Sequence, residues 1–285
     1  MKSRRALLTY SLGAVLLCGG FETSRIACAD PTTAEVAEDA VPVTPLARAH
    51  AHNDYLHRRP LLDALDQGFC SVEADVFLVD GDLLVAHTRF GLWQKETLRA
   101  LYLDPLSHRV KENNGRVYAD GTVFTLLIDI KRDGAAAYKV LDKMLAEYPD
   151  VFSVVKNGEY TEKAITVVIS GSRPVASIEA DTERYAGIDG RLSDLDSDKP
   201  VHLLPLISDQ WSSHFKWRGR DEMPAEEKEK LTAIVKKVHD KGRRLRFWGI
   251  PDRPLVWKTL REAGVDMINT DNLSGLSQML REPTE

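Results

Sequence analysis

Cysteine is scarce in this chain, three among 285 residues. Two of the three, Cys18 and Cys28, lie in an N-terminal stretch that reads as an export signal. The remainder of the chain keeps Cys70 alone, in an apolar strand-like run, so an intramolecular disulfide is excluded and a buried thiol is expected there rather than a nucleophile. Without a cysteine pair or a His-x-x-x-His helix, zinc lacks its usual donors. Positive charge is not in excess either. The formal net charge is −5, which is no footprint for nucleic acid, so an anionic substrate needs a local cation or a metal to hold it. Also missing are a Gly-x-Ser-x-Gly elbow, a phosphate-binding P-loop and a dinucleotide fingerprint, which removes the commonest hydrolase and nucleotide readings. The apolar run at 6–20 falls short of a comfortable membrane span.

That run has the anatomy of a signal peptide. Lys2, Arg4 and Arg5 precede it, and Ala27-Cys28-Ala29 supplies a small-x-small cleavage pattern, so residues 1–29 are expected to be removed and Asp30 to begin the mature chain. Ser3-Arg4-Arg5-Ala6-Leu7-Leu8 resembles a twin-arginine signal. A general secretory signal carrying two arginines and an uncleaved anchor are the alternatives, while Leu17 before Cys18 argues against a lipoprotein. A periplasmic or extracellular location is therefore expected. Residues 30–45, rich in Ala, Thr, Pro and acids without an apolar period, read as a linker or disordered leader. Residues 46–285 then form one domain.

Within that domain short apolar strands alternate with amphipathic helices. Strands are expected at 48–52, 69–77, 124–130, 165–170, 185–188, 203–207, 245–250 and 267–269, and helices at 60–67, 95–103, 135–148, 173–180, 225–241, 254–263 and 273–281. The 225–241 helix is the clearest. Leu231, Ile234, Val235 and Val238 keep a core-facing stripe, glutamates open it and lysines close it, and Gly242 is a stop signal. Eight such strands predict an α/β fold, a (β/α)8 TIM barrel, with an open doubly wound sheet as the rival. His52, Asp75, Asp129, Lys131, Ser170, Ser208, Asp209, Trp248, Thr270 and Asp271 fall at C-terminal strand ends, where barrel active sites are built.

Glu73 and Asp75 are two residues apart on one strand and so aim at one side. Asp129, at the end of a later strand, can complete a three-carboxylate set for one divalent metal, Mg²⁺ or Ca²⁺. Lys131 shares a strand face with Asp129. It either neutralises a phosphate oxygen or makes a strand-end salt bridge. His52 and His87 flank the carboxylates and are the acid–base candidates. His50 is placed on the side away from His52, toward the helix layer, and His57 in the next loop. Gly171-Ser172-Arg173-Pro174 reads as a plain helix start, with an anion-binding turn as the alternative. Trp211, Phe215 and Trp217 are core residues by default, but their loop also holds His214, Lys216, Arg218 and Arg220, a mixture that could cover an amphiphilic or phosphorylated substrate. A glycosidase pair is the remaining reading of the carboxylates, but two residues on one strand are poorly placed to flank a glycosidic bond.

Several of these pieces, in order, resemble the glycerophosphodiester phosphodiesterase and phosphatidylinositol-specific phospholipase C superfamily. They are His52-Asn53, the run from Gly68 to Val76, the run from Gly81 to His87, Leu127-Ile128-Asp129-Ile130-Lys131, Arg246-Phe247-Trp248, and the run from Gly264 to Asp271. The resemblance implies a barrel enzyme in which Glu73, Asp75 and Asp129 hold one Mg²⁺ or Ca²⁺. It further implies that His52 and His87 serve as base and acid, with Asn53, Lys131 and Trp248 toward the substrate, a small-molecule or lipid phosphodiester. Transient contact with a membrane surface is compatible with such a substrate, and no obligate protein partner is implied. The sequence departs from the family's pattern at His52-Asn53-Asp54, where His-Arg-Gly is usual. The phosphate-binding arginine is therefore missing, and no Pro-Glu-Asn-Thr comes after it. The third metal carboxylate is an aspartate, as in the sphingomyelinase D branch, and the His-Asn-Asp-Tyr form resembles a poorly characterised subgroup. The missing arginine keeps a second reading open, a non-catalytic barrel that binds a phosphorylated or lipid ligand.

Overall fold

The structure, a computed structural model, describes residues 43–283. The expected signal peptide and the leader as far as residue 42 lie outside the described residues. Eight strands form the frame: β1 (Leu46–Ala51), β2 (Phe69–Val79), β3 (Phe124–Ile130), β4 (Ile165–Gly171), β5 (Ala186–Gly190), β6 (Leu206–Gln210), β7 (Arg244–Trp248) and β8 (Ile268–Thr270). Each from β1 to β7 pairs in parallel with the next, and β8 returns beside β1, with Ala49 opposite Ile268 and Ala51 opposite Thr270. A single bridge, Arg246 to Met267, closes the ring between β7 and β8. The result is a nearly closed parallel (β/α)8 barrel, as the alternation of elements predicts, and not an open doubly wound sheet.

The strand sequences show why the ring forms. Strands of a parallel barrel are covered on both faces and therefore read as apolar runs rather than alternating ones. Phe124, Leu126, Ile128 and Ile130 of β3 belong to the main core, while Leu127 joins Val168, Leu206 and Met267 in a separate small cluster. Cys70 is buried and free, and burial pushes its thiol up to about 12. The helix at Ala225–Asp240 buries Leu231, Val235 and Val238 and ends at Gly242, whose φ of +68° suits glycine.

Some expected boundaries shift. Residues 203–204 form a turn held by Leu203 N–H to the Pro200 carbonyl, so β6 starts later than periodicity suggests. The helix expected at 95–103 begins as a wide π turn, Arg99–Leu103, and runs on to Glu112. Pro105 lacks the N–H that a continuing helix would use, and the wide turn accommodates it. A side sheet of three short strands, Val154–Lys156, Glu159–Thr161 and Glu183–Arg184, carried no apolar signal strong enough to anticipate.

Candidate active site

Parallel register puts the chemistry at one end of the barrel. Asp75 of β2 lies opposite Asp129 of β3, which in turn lies opposite Ser170 of β4. Of the residues singled out from the sequence, His52, Asn53, Glu73, His87, Asp129, Lys131 and Trp248 line one cavity of about 310 Å³. Asp75 is fully buried alongside it.

Glu73, Asp75 and Asp129 each offer a carboxylate oxygen, and these oxygens all lie within 4.8 Å of one another. Asp75 Oδ1 is buried with no hydrogen-bond partner among the described residues. A buried acceptor left unpaired is costly, and a hard cation would satisfy it. The donor set therefore fits Mg²⁺ or Ca²⁺. Lys131 Nζ sits 2.8 Å from Asp75 Oδ2 and 3.1 Å from Asp129 Oδ1, so it makes the strand-end salt bridge, one of its two alternatives. Burial opposes the Lys131 charge, but the two carboxylates outweigh it and raise its pKa. Burial raises Asp129 in spite of Lys131, and repulsion from Asp75 and Glu73 adds to the rise. Glu73 behaves oppositely. Burial would raise it, but the Arg246 guanidinium, 2.6 Å away, and His50 hold its carboxyl well below the usual range.

His50 corrects the sequence reading. It turns toward the carboxylates and not toward the helix layer. Its Nε2 lies 3.4 Å from Glu73 Oε2 and its Nδ1 2.7 Å from Ser71 Oγ. The physical reason is that residues two apart on a strand share a side, so His50 and His52 leave β1 in the same direction. Burial, with the nearby Arg246 charge, lowers the His50 pKa to about 4, so it is neutral at pH 7.

The two acid–base candidates are each backed by a carboxylate. His52, just past β1, has Nδ1 2.8 Å from Asp271 Oδ1, and Asn53 Nδ2 lies 3.3 Å from both ring nitrogens. Asn53 itself adopts φ +46°, a conformation that asparagine tolerates better than most residues. The hairpin strand Asp82–Val85 pairs antiparallel with β2 and delivers His87 to the same mouth. There His87 Nδ1 is 3.0 Å from Asp75 Oδ2. Tyr55 ties these groups together. Its hydroxyl donates to Asp75 Oδ2 at 2.6 Å, is 2.8 Å from Asn53 Oδ1, and lies 3.1 Å from His87 Nδ1. Burial and the Asp75 charge raise its pKa, so the proton stays on the phenol.

Asp54 and Tyr55, the rest of the His-Asn-Asp-Tyr run, divide their labour. Tyr55 faces the site, whereas Asp54 is fully buried and accepts from the Leu61 N–H at 2.5 Å and the Tyr102 hydroxyl at 2.9 Å. Asp54 thus fixes the loop that carries its neighbours.

Sequence periodicity misses Arg191, because it stops strand five at 188. The strand runs on to Gly190, and alternation then carries Asp189 and Arg191 to the same side. Asp189, fully buried, accepts from Ser170 Oγ, Ser208 Oγ and Arg191 Nη1. The Arg191 guanidinium lies 4.7 Å over the Trp248 ring, and both residues line the cavity. A cation two residues beyond a strand-end aspartate was the available signal.

Burial and bonding place two other segments. Trp211, Phe215 and Trp217 are buried, with Trp211 and Phe215 stacked at 4.1 Å, so they pack the core and do not cover a substrate. Arg173 donates to the Asp189 carbonyl ahead of the helix Val175–Ala180, while Gly171, at the start of the same turn, lines the cavity.

Residues 35–189 match the AIM6-like phosphodiesterase domain, and residues 244–274 match the glycerophosphoryl diester phosphodiesterase family. The chain is 30% identical to altered inheritance of mitochondria protein 6 of Eremothecium gossypii, across 95% of this chain and 77% of that protein. It is 27% identical to the homolog of that protein in Arthroderma benhamiae, across 84% of each. Among solved structures, a glycerophosphodiester phosphodiesterase from Parabacteroides distasonis superposes with a TM-score of 0.50 at 14% identity, over 83% of this chain and 98% of that one, a likeness of fold. With more than half of its length matched and a barrel of the same kind, the chain belongs to the AIM6-like phosphodiesterase domain family, within the glycerophosphodiester phosphodiesterase-like superfamily.

Proposed function

We propose that this protein is an exported, divalent-metal-dependent phosphodiesterase acting on a glycerophosphodiester- or phospholipid-like substrate through histidine acid–base catalysis. The observation that carries the reading is the meeting, at one cavity, of three convergent carboxylates with two histidines that each have a carboxylate behind them. Glu73, Asp75 and Asp129 would hold the metal, which when bound supplies Lewis-acid polarisation of the phosphoryl oxygens and a lowered pKa for the attacking hydroxyl.

The chain's own residues supply the rest. Asp271 on Nδ1 orients His52 so that Nε2 takes the proton of the attacking oxygen, either a water or a substrate hydroxyl next to the phosphate. His87 returns a proton to the departing alkoxide. Lys131 and the Nη2 and Nε edges of Arg191 are the cations available to the non-bridging oxygens, in place of the arginine that Asn53 replaces. The products are an alcohol and either a phosphomonoester or a cyclic phosphate. A glycosidase reading gains little support, because the three oxygens crowd within 4.8 Å, closer than the ~5–5.5 Å of a retaining pair. The signal read at residues 1–29 supports action in the periplasm or outside the cell.

The test is a metal-supplemented panel of glycerophosphodiesters, lysophospholipids, sphingomyelin and phosphoinositides, with products identified by phosphorus NMR. Release of an alcohol that a chelator stops is expected, with losses of about 10²–10⁴-fold in His52→Ala and His87→Ala. Silence across the panel, with retained binding of the same compounds, would replace catalysis with ligand binding.

A further inference from the structure

Beside the catalytic cavity the chain leaves large aromatics in water. Phe90 and Trp93 are 90% and 77% exposed, on the turn Arg89–Gln94 that comes shortly after His87. Leu56, 67% exposed, belongs to the loop that carries Asn53 and Tyr55. A second cavity, of about 650 Å³, is lined by Leu56, Arg58 and Trp93 and shares His87 with the first. Aromatic side chains contribute most to a fold when buried. Two of them exposed within four residues, next to a third apolar side chain, mark a surface that meets something apolar.

The charges around the patch identify the partner. Arg58, Arg89 and Lys95 are exposed, and among the described residues their side chains make no ion pair or hydrogen bond. Exposed cations without an ion pair among the described residues occur elsewhere too, Arg116, Arg132 and Lys139 among them, but here three gather around one apolar patch, with the exposed Glu96 as the carboxylate on the lining of the same cavity. The chain as a whole is negative, at −5, so an unpaired positive rim here does not follow from composition. An exposed indole and an exposed phenyl ring flanked by cations match the headgroup region of an anionic bilayer, where indole rings settle at the interface and lysines and arginines face the lipid phosphates.

We propose that the face built by Leu56, Arg58, Arg89, Phe90, Trp93 and Lys95 docks on an anionic lipid surface and places the catalytic mouth against it. On the phosphodiesterase reading given above, the substrate class is then a diester presented by a bilayer rather than one free in solution.

The test needs no turnover, so it fails separately from that reading. Vesicles of phosphatidylcholine, with and without phosphatidylglycerol, are mixed with the full chain in the presence of chelator, and the bound fraction is measured by sedimentation. The N-terminal apolar run is common to wild type and variants, so differences between them report the patch. Wild type should bind the anionic vesicles more tightly, and less so at high salt. Phe90→Ser with Trp93→Ser should weaken partition about tenfold or more, with an unchanged circular-dichroism spectrum as the check on folding. Tryptophan emission should shift to the blue on vesicle binding and lose most of that shift in Trp93→Phe, because Trp211, Trp217 and Trp257 are already buried and the half-buried Trp248 ring is covered by the Arg191 guanidinium. Equal partition of wild type and the double variant overturns the proposal. So does self-association abolished by the double variant without vesicle binding, which would assign the patch to a protein contact.

Discussion

At Glu73 two demands fall on one carboxylate. It is one of the three convergent oxygen donors, and it also neutralises Arg246, with both side chains almost fully buried. Removing one member of such a pair leaves a buried charge uncompensated. Glu73→Gln should therefore lower stability by ~3–5 kcal/mol, read from urea unfolding, as well as weaken metal binding. A change at Asp75 should spare stability more, since its partners Lys131, Tyr55 and His87 lie at the partly open mouth. Asp54 makes a different prediction. Burial raises its pKa to about 6, despite donation from Leu61 and Tyr102. The folded state thus holds this proton more tightly than the unfolded chain, whose aspartate titrates near 3.8. Its contribution is fully present below that value and is lost as pH rises to about 6. In Asp54→Asn, whose amide keeps the acceptor for Leu61 and Tyr102 and fills the place of Oδ1, buried without a partner among the described residues, this slope should vanish. The stability of wild type relative to the variant should then fall by at most ~3 kcal/mol between pH 4 and 6, as measured by unfolding across that range.

Among the elements, the strands were legible because a parallel barrel demands continuous apolar runs, and the runs at 69–77, 124–130 and 165–170 leave little room for another reading. From them, alternation alone places Glu73 beside Asp75 and Asp129 beside Lys131. The site was less legible where it depends on strand ends. Stopping strand five at 188 concealed Asp189 and Arg191, and nothing local to His52 reveals that Asp271, 219 positions away, stands behind it. Tyr55 reaching Asp75 is likewise a long-range fact, invisible to periodicity. The loop after β4 shows how tightly such ends are fitted. Gly171 has φ +69°, and a Cβ there would lie 2.5 Å from the Ile130 carbonyl oxygen and press on Asp129 Oδ1. Gly171→Ala should accordingly shift Asp129, with weaker metal binding by titration calorimetry and lower activity, while a residue such as Gly81, whose added Cβ would meet nothing within 4 Å, should tolerate alanine at the mouth with only a backbone cost.

On the scale of the whole molecule, the site is a local departure from the chain's character. An acidic protein draws no anionic substrate from a distance, and the cavity concentrates three carboxylates against Lys131, Arg191 and Arg246. A divalent ion binding the folded chain alone should relieve that crowding and stabilise it by ~2.7 kcal/mol at a hundredfold excess over its dissociation constant. For a barrel of this size that is about 5–10 °C in melting temperature, reversed by chelator and absent in Asp75→Asn, as scanning calorimetry would record. The ring's closure has a consequence of another kind. Because β8 pairs with β1, and Arg281 donates to the Thr44 carbonyl just ahead of β1 at 3.4 Å, the two ends of the barrel's chain are neighbours. A circular permutant that joins them and opens the partly exposed turn at 195–199 keeps every barrel strand pairing, so the order in which the strands are synthesised can be changed while the fold is not. In the native order, by contrast, β1 waits for the last strand to be made before its open edge is covered.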